Sequence, residues 1–165
     1  MENKTYNILF LCTGNSARSI LAEALATTMS NGRLIGYSAG SHPQGTVNPY
    51  AIDFIREIGY PVEKLRSKSW DEYATNAAPP MDFIITVCDN AAGEICPIWP
   101  GKPTTAHWGF PDPASVTGDD AQKRKAFADV ALGLKHRLDL LLSLPIDSLD
   151  KLSIQTEIRK IGLAN

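Results

Sequence analysis

Apolar and polar positions alternate along this chain in two rhythms. Apart from Asn7, residues 6–11 form a continuous apolar run rich in β-formers, the signature of a strand covered on both faces, and the run stops at Cys12. Over 19–29 the apolar residues Ile20, Leu21, Ala24, Leu25 and Ala26 recur at helical spacing, and Asn31-Gly32 supplies a stop. A second strand is predicted over 33–38. Asn48-Pro49, a cap residue followed by proline at the first helical position, opens a helix reaching about Ile58 before Gly59. Residues 81–87 read as a third, buried strand and 104–107 as a short fourth. Over 119–142, Phe127, Val130, Leu134, Leu138, Leu141 and Leu142 form an apolar stripe, with Lys123, Arg124, Lys125 and Arg137 assigned to the solvent side. Pro145 ends it, and a last helix over 148–161 is expected to pack Leu149, Leu152, Ile154 and Ile158.

Strands alternating with helices predict an α/β fold: three layers, α/β/α, around a four-stranded parallel sheet. Ligands of such sheets sit at the carboxyl ends of the strands. Cys12, Cys88 and the loop after His107 each follow a predicted strand, so they are expected to converge on one rim.

The bulk properties narrow the classes. At 165 residues and 44% apolar the chain suits a single domain, 1–165. A net charge of -2, with no basic block, argues against nucleic acid. The polar start and the lack of a long apolar run argue against a membrane partner or a leader, and place the protein in the cytoplasm. Three cysteines leave an odd count, which in a reducing compartment points to catalysis or metal binding. Zinc is disfavoured, because His42, His107 and His136 are scattered and no short Cys or His pair occurs. Trp70, Trp99 and Trp108 read as packing or rim residues.

Cys12, Thr13, Gly14, Asn15, Ser16, Ala17, Arg18 and Ser19 join a strand to a helix, where backbone amides and the helix N-terminus can cradle an anion. Gly14 and Asn15 best tolerate the positive φ a tight cradle needs. Arg18 can offer its planar fork to two oxygens of a tetrahedral oxyanion. The same field is expected to hold Cys12 as a thiolate, with Ser19 near enough to donate to its sulfur. A nucleotide P-loop is excluded, because its second glycine and its Lys-Ser/Thr pair are missing. The plainer alternative is a buried strand-end cysteine beside a solvated arginine. Asp112, stiffened by Pro111 and Pro113, is a candidate general acid, although Asp-Pro is also an ordinary turn dipeptide.

These motifs, FLCTGNSARS at 10–19, SAG at 38–40, TVC at 86–88, Cys96-Pro97 and HWGFPDP at 107–113, resemble the low-molecular-weight protein tyrosine phosphatase family, and within it the arsenate reductases. The resemblance spans about residues 8–114. It implies Cys12 as nucleophile, Arg18 as oxyanion clamp and Asp112 as general acid acting on arsenate, with phosphate or sulfate as analogues. It also implies a potassium ion at Asn15, Glu23 and Ser38, as some reductases of this type hold. Phosphatases of this fold carry a tyrosine after Asp-Pro; Ala114 and Ser115 stand here. Cys88 and Cys96 resemble the two resolving cysteines of thioredoxin-coupled reductases, which implies a disulfide relay from Cys12 to Cys88 to Cys96 and then to an external thiol reductant.

Seven residues separate Cys88 and Cys96, one more than in the thioredoxin-coupled members, so thioredoxin, glutaredoxin and a small thiol stay open as donors. Were residues 88–96 helical, the two Cα atoms would stand about 12 Å apart, beyond the roughly 7 Å limit for a disulfide, so the segment is expected to bend or unwind around Gly93. A phosphomonoester phosphatase is the second reading of the sequence and a noncatalytic oxyanion or redox sensor the third.

Overall fold

A computed structural model describes residues 4–88 and 97–163. Four strands, β1 (Tyr6–Leu11), β2 (Leu34–Ala39), β3 (Phe83–Thr86) and β4 (Thr104–His107), form one parallel sheet in the order β2-β1-β3-β4. β1 is central and pairs Tyr6 with Leu34 on one side and Ile8 with Phe83 on the other. Four α-helices accompany the sheet among the described residues: α1 (Arg18–Met29), α2 (Pro49–Glu57), α3 (Asp120–Leu142) and α4 (Lys151–Gly162).

The two faces of β1 divide the core. Ile8, Phe10 and Cys12 join the larger apolar cluster, built with Ile20, Leu21, Ile55, Phe127, Leu134 and Ile158 from all four helices. Leu9 and Leu11 point the other way, where Ala39, Met81 and Ile84 are covered by Tyr37, Trp70, Tyr73 and Trp99. Two-sided burial explains why β1 reads as a continuous apolar run. Trp70 belongs to a 3-10 turn, Trp70–Tyr73, and meets Trp99 edge-on at 6.3 Å. Trp108 is fully buried and donates from Nε1 to the Ile158 carbonyl.

Local chemistry set most element ends. Asn48 caps α2 by accepting from the Tyr50 amide at 2.9 Å, with Pro49 at the first position. Asp119 and Gln122 close a reciprocal capping box on α3. The final helix differs from expectation. Residues Ile146–Ser148 are a separate 3-10 turn, and Asp150 caps α4 by accepting from the Ser153 amide. Ile158 is buried and Ile154 packs on the core as expected, with Ile161 beside them, whereas Leu152 is 76% exposed. Arg137 departs too: its guanidinium lies 4.4 Å over the Phe110 ring and donates to the Gly109 carbonyl instead of standing in solvent.

Two glycines let elements approach where a side chain would collide. A Cβ on Gly36 would stand 2.3 Å from the Glu23 carbonyl, where α1 lies against β2. A Cβ on Gly40, just past β2, would meet the Thr13 and Cys12 carbonyls at 2.4 and 2.7 Å. Only glycine lets β2 pass so close to the loop that follows β1.

Candidate active site

Cys12, Gly14, Asn15, Ser16, Ala17, Arg18, Asp112 and Ala114, together with Gln44 and Asn48, line one cavity of about 80 Å³. The loop at 12–18 is laced to its surroundings through its backbone. Cys12 N donates to Ala39 O, and the carbonyls of Thr13, Gly14 and Ser16 accept from the amides of His42, Gln44 and Asn48. With those carbonyls turned outward, the amides of the loop are available to an anion. Helix α1 starts at Arg18 on a cap residue, Ala17, that makes no side-chain hydrogen bond, so its first amides are left to a ligand.

The positive φ the loop needs falls on Asn15, at 45°, and Gly14 is not among the residues in that region. Asn15 is fully buried and used at both ends: Oδ1 accepts from the Lys68 amide at 2.9 Å and Nδ2 donates to Ser19 Oγ at 2.8 Å. Ser19 is thus seen bracing Asn15, where the sequence suggested contact with the Cys12 sulfur.

Arg18 borders the cavity and donates from Nη1 to the Phe110 carbonyl at 2.9 Å, which ties the nucleophile loop to the loop carrying Asp112. Asp112 caps the turn Pro113–Ser115 by accepting from the Ala114 amide at 2.9 Å. The turn reading and the acid reading of Asp-Pro are therefore compatible: the turn holds the carboxyl on the cavity wall.

Cys12 and Cys88 are both buried. Ends of neighbouring parallel strands bring them together. Cys88 Sγ accepts from the Thr13 amide at 3.4 Å and hydrogen-bonds with Cys12 itself. This contact changes the expected ionisation. Hydrogen bonding to Cys88, followed by burial, pushes the Cys12 thiol up, outweighing the downward pull of Arg18 and the Gly14 amide. The depressed thiolate expected at Cys12 from the loop alone is thus opposed, in this state, by its buried neighbour Cys88. Cys96 and most of the segment expected to bend, residues 89–96, lie outside the described residues.

Behind the loop stands a cluster of which the sequence suggested Glu23 and Ser38 but not Lys68 or Tyr60. Glu23, 6% exposed, accepts from Ser38 Oγ at 2.5 Å and from Tyr60 OH at 3.1 Å. Lys68, 7% exposed, sends Nζ to 3.8 Å from Glu23 Oε1, 3.5 Å from Ser38 Oγ and 2.9 Å from the Arg66 carbonyl. Burial pushes the Glu23 carboxyl up and the Lys68 ammonium down, and each charge works against the shift of the other. Three donors on the carboxylate and three oxygens on the ammonium favour the charged pair. Lys68 sits in a polar, aperiodic stretch with no local signal of burial. Of the residues expected to hold potassium, Glu23 and Ser38 meet directly and Asn15 is linked to them through Lys68. No group of three or more His, Cys, Asp or Glu suited to a metal occurs among the described residues, nor any helix long and apolar enough to cross a membrane.

The chain is similar to known proteins in sequence and in fold. The family model described as low molecular weight phosphotyrosine protein phosphatase matches residues 7–155. An arsenate reductase of Bacillus subtilis is 38% identical over 138 residues, covering 84% of this chain and 94% of its own. One from Halalkalibacterium halodurans is 38% identical over 74% of this chain and 85% of its own. Among solved structures, a low molecular weight protein tyrosine phosphatase from T. tengcongensis superposes with a TM-score of 0.66 at 20% identity, covering 88% of this chain and all of that one, 100%. A thioredoxin-dependent arsenate reductase of Corynebacterium glutamicum gives 0.57 at 23% identity, over 82% of this chain and 61% of that one. At those identities the two structures speak for the fold alone.

Proposed function

The chain belongs to the low molecular weight phosphotyrosine protein phosphatase family, and from that premise we propose that it reduces arsenate to arsenite through a relay of Cys12, Cys88 and Cys96. The observation that carries this reading is the second sulfur: Cys88 hydrogen-bonds to Cys12 and accepts an amide of the oxyanion loop. Phosphoester hydrolysis needs only the first sulfur.

In the proposed sequence the loop amides and Arg18 bind arsenate, and the Cys12 thiolate attacks arsenic. Asp112 protonates the departing oxygen, which leaves as water. Cys88 then attacks the Cys12 sulfur. An S–S bond forms, the S–As bond breaks with its electron pair moving to arsenic, and arsenic(V) becomes arsenite. Attack of Cys96 on Cys88 frees Cys12, and the Cys88–Cys96 disulfide is reduced by an external dithiol. Thioredoxin, a dithiol suited to reducing a Cys88–Cys96 disulfide, is the proposed donor and a reducing cytoplasm the proposed setting.

The hydrogen bond between the sulfurs fits this order. It sets Cys88 against the Cys12 sulfur, so that Cys88, on losing its thiol proton to solvent, can attack that sulfur once the arsenic adduct has formed. The test is arsenate-dependent NADPH oxidation coupled through thioredoxin and its reductase, run beside p-nitrophenyl phosphate hydrolysis. The parent enzyme is expected to turn over arsenate, and Cys88→Ser and Cys96→Ser each to abolish that turnover. Robust ester hydrolysis with no arsenate-dependent oxidation would identify a phosphatase instead. Oxyanion binding without either activity would identify a sensor.

A further inference from the structure

We propose that the ammonium of Lys68 is a built-in cation of the oxyanion loop, standing against Glu23 and Ser38 in place of a monovalent metal ion, so that this chain holds its loop without potassium. The inference rests on reading 12–18 as an oxyanion loop and adds to it what keeps the loop in shape.

Glu23 Oε1, Ser38 Oγ and the Arg66 carbonyl converge on Lys68 Nζ at 3.8, 3.5 and 2.9 Å. Potassium is a hard cation held by oxygens, and an ammonium is close to it in size, so one oxygen cage serves either. Here the cage is filled from within the chain. A metal ion added at the same oxygens would stand beside a like charge in a buried site, an arrangement that burial makes costly. The residues present therefore do not fit potassium.

The same residue reaches the loop by its backbone. Lys68 N donates to Asn15 Oδ1, and Asn15 is the residue that carries the loop's positive φ. Lys68 O in turn accepts from the Gly40 amide, and Trp70 N donates to Gly40 O, so the strand-like stretch around Lys68 is zipped to the end of β2. One side chain anchored in the cage thus fixes the backbone group that fixes Asn15. Lys68 is a positioning residue: it does not itself line the cavity and reaches the lining through Asn15.

The experiment compares potassium chloride with tetramethylammonium chloride at equal ionic strength, reading thermal midpoint and sulfate affinity by calorimetry. The parent protein is expected to give the same two values in both salts. Lys68→Ala is expected to bind sulfate about ten-fold more weakly in tetramethylammonium, with a lowered midpoint, and to recover both in potassium. A merely structural lysine would show the loss without the recovery, which would overturn the proposal, as would a potassium-raised midpoint in the parent. Should Lys68→Ala fold only in potassium, that requirement is the same recovery. Should it fold in neither salt, the paired variant E23Q/K68M decides: indifference to potassium supports the cage, and a potassium response without the carboxylate refutes it. A parent that binds no sulfate in either salt would instead sink the oxyanion reading, while the midpoints still judge Lys68.

Discussion

The loop at 12–18 and the loop at 108–114 share one cavity yet are held by different means. The first is tied down from three sides: its carbonyls accept from 42, 44 and 48, Gly40 lies against it without a side chain, and buried Asn15 is clasped by Lys68 and Ser19. The second is anchored at its start, where Gly109 and Phe110 are held by Arg137, Arg18 and the Val87 carbonyl, but Pro111, Asp112 and Ala114 are exposed and depend on the prolines and the Asp112–Ala114 turn. The difference follows from what each must do. An anion cradle works only if its amides are preorganised, because reorganising dipoles during the reaction forfeits their stabilisation. A general acid must reach a proton source and a leaving oxygen, and a stiff, open turn gives it both.

Substitutions should separate the two loops by size of effect. Cys12→Ser, at the heart of the rigid loop, is expected to lower arsenate turnover by more than about a thousand-fold with sulfate binding retained. Arg18→Lys keeps the charge and loses the fork; a drop of about a hundred- to a thousand-fold in kcat/KM is expected, and full activity would show that the fork is not what binds the oxyanion. Asp112→Asn, on the open loop, should cost about a hundred-fold in kcat with little change in KM, as steady-state kinetics would show. Gly40→Ala should destabilise the fold by about 1–3 kcal/mol by pressing on the Cys12 and Thr13 carbonyls, whereas Ala114→Ser on the exposed turn should stay within about 0.5 kcal/mol in urea titrations. If the two changes cost the same, the contrast between the loops is wrong.

The smallest predicted change is a shift in a pH profile. Because Cys88 is the largest cause raising the Cys12 thiol, Cys88→Ala removes it and leaves the downward pulls of Arg18 and the Gly14 amide. Alkylation of Cys12 by iodoacetamide rises as thiol becomes thiolate, so its profile should move to lower pH in the variant. A profile that stays in place would mean that Cys88 does not raise the Cys12 thiol in solution.

How much of this was legible beforehand depends on the range of the interaction. The apolar run of β1, the Asn48-Pro49 and Asp119 caps and the Cys12-to-Arg18 spacing are local facts, and the fold repeats them nearly residue for residue. The start of α4 was less legible: a helix expected from 148 begins at Lys151, where Asp150 caps it after the separate turn Ile146–Ser148.

Propensity, capping and spacing act between residues a few positions apart, so the sequence by itself determined the order of strands and helices, the strand-end placement of Cys12 and Cys88, and the composition of the anion loop. The partnerships that tune the site belong to the tertiary structure. Lys68 against Glu23, Gly40 against the Cys12 carbonyl and one thiol against the other join residues far apart in the chain. Burial and close approach give those pairs their energies, and neither exists until the sheet has assembled.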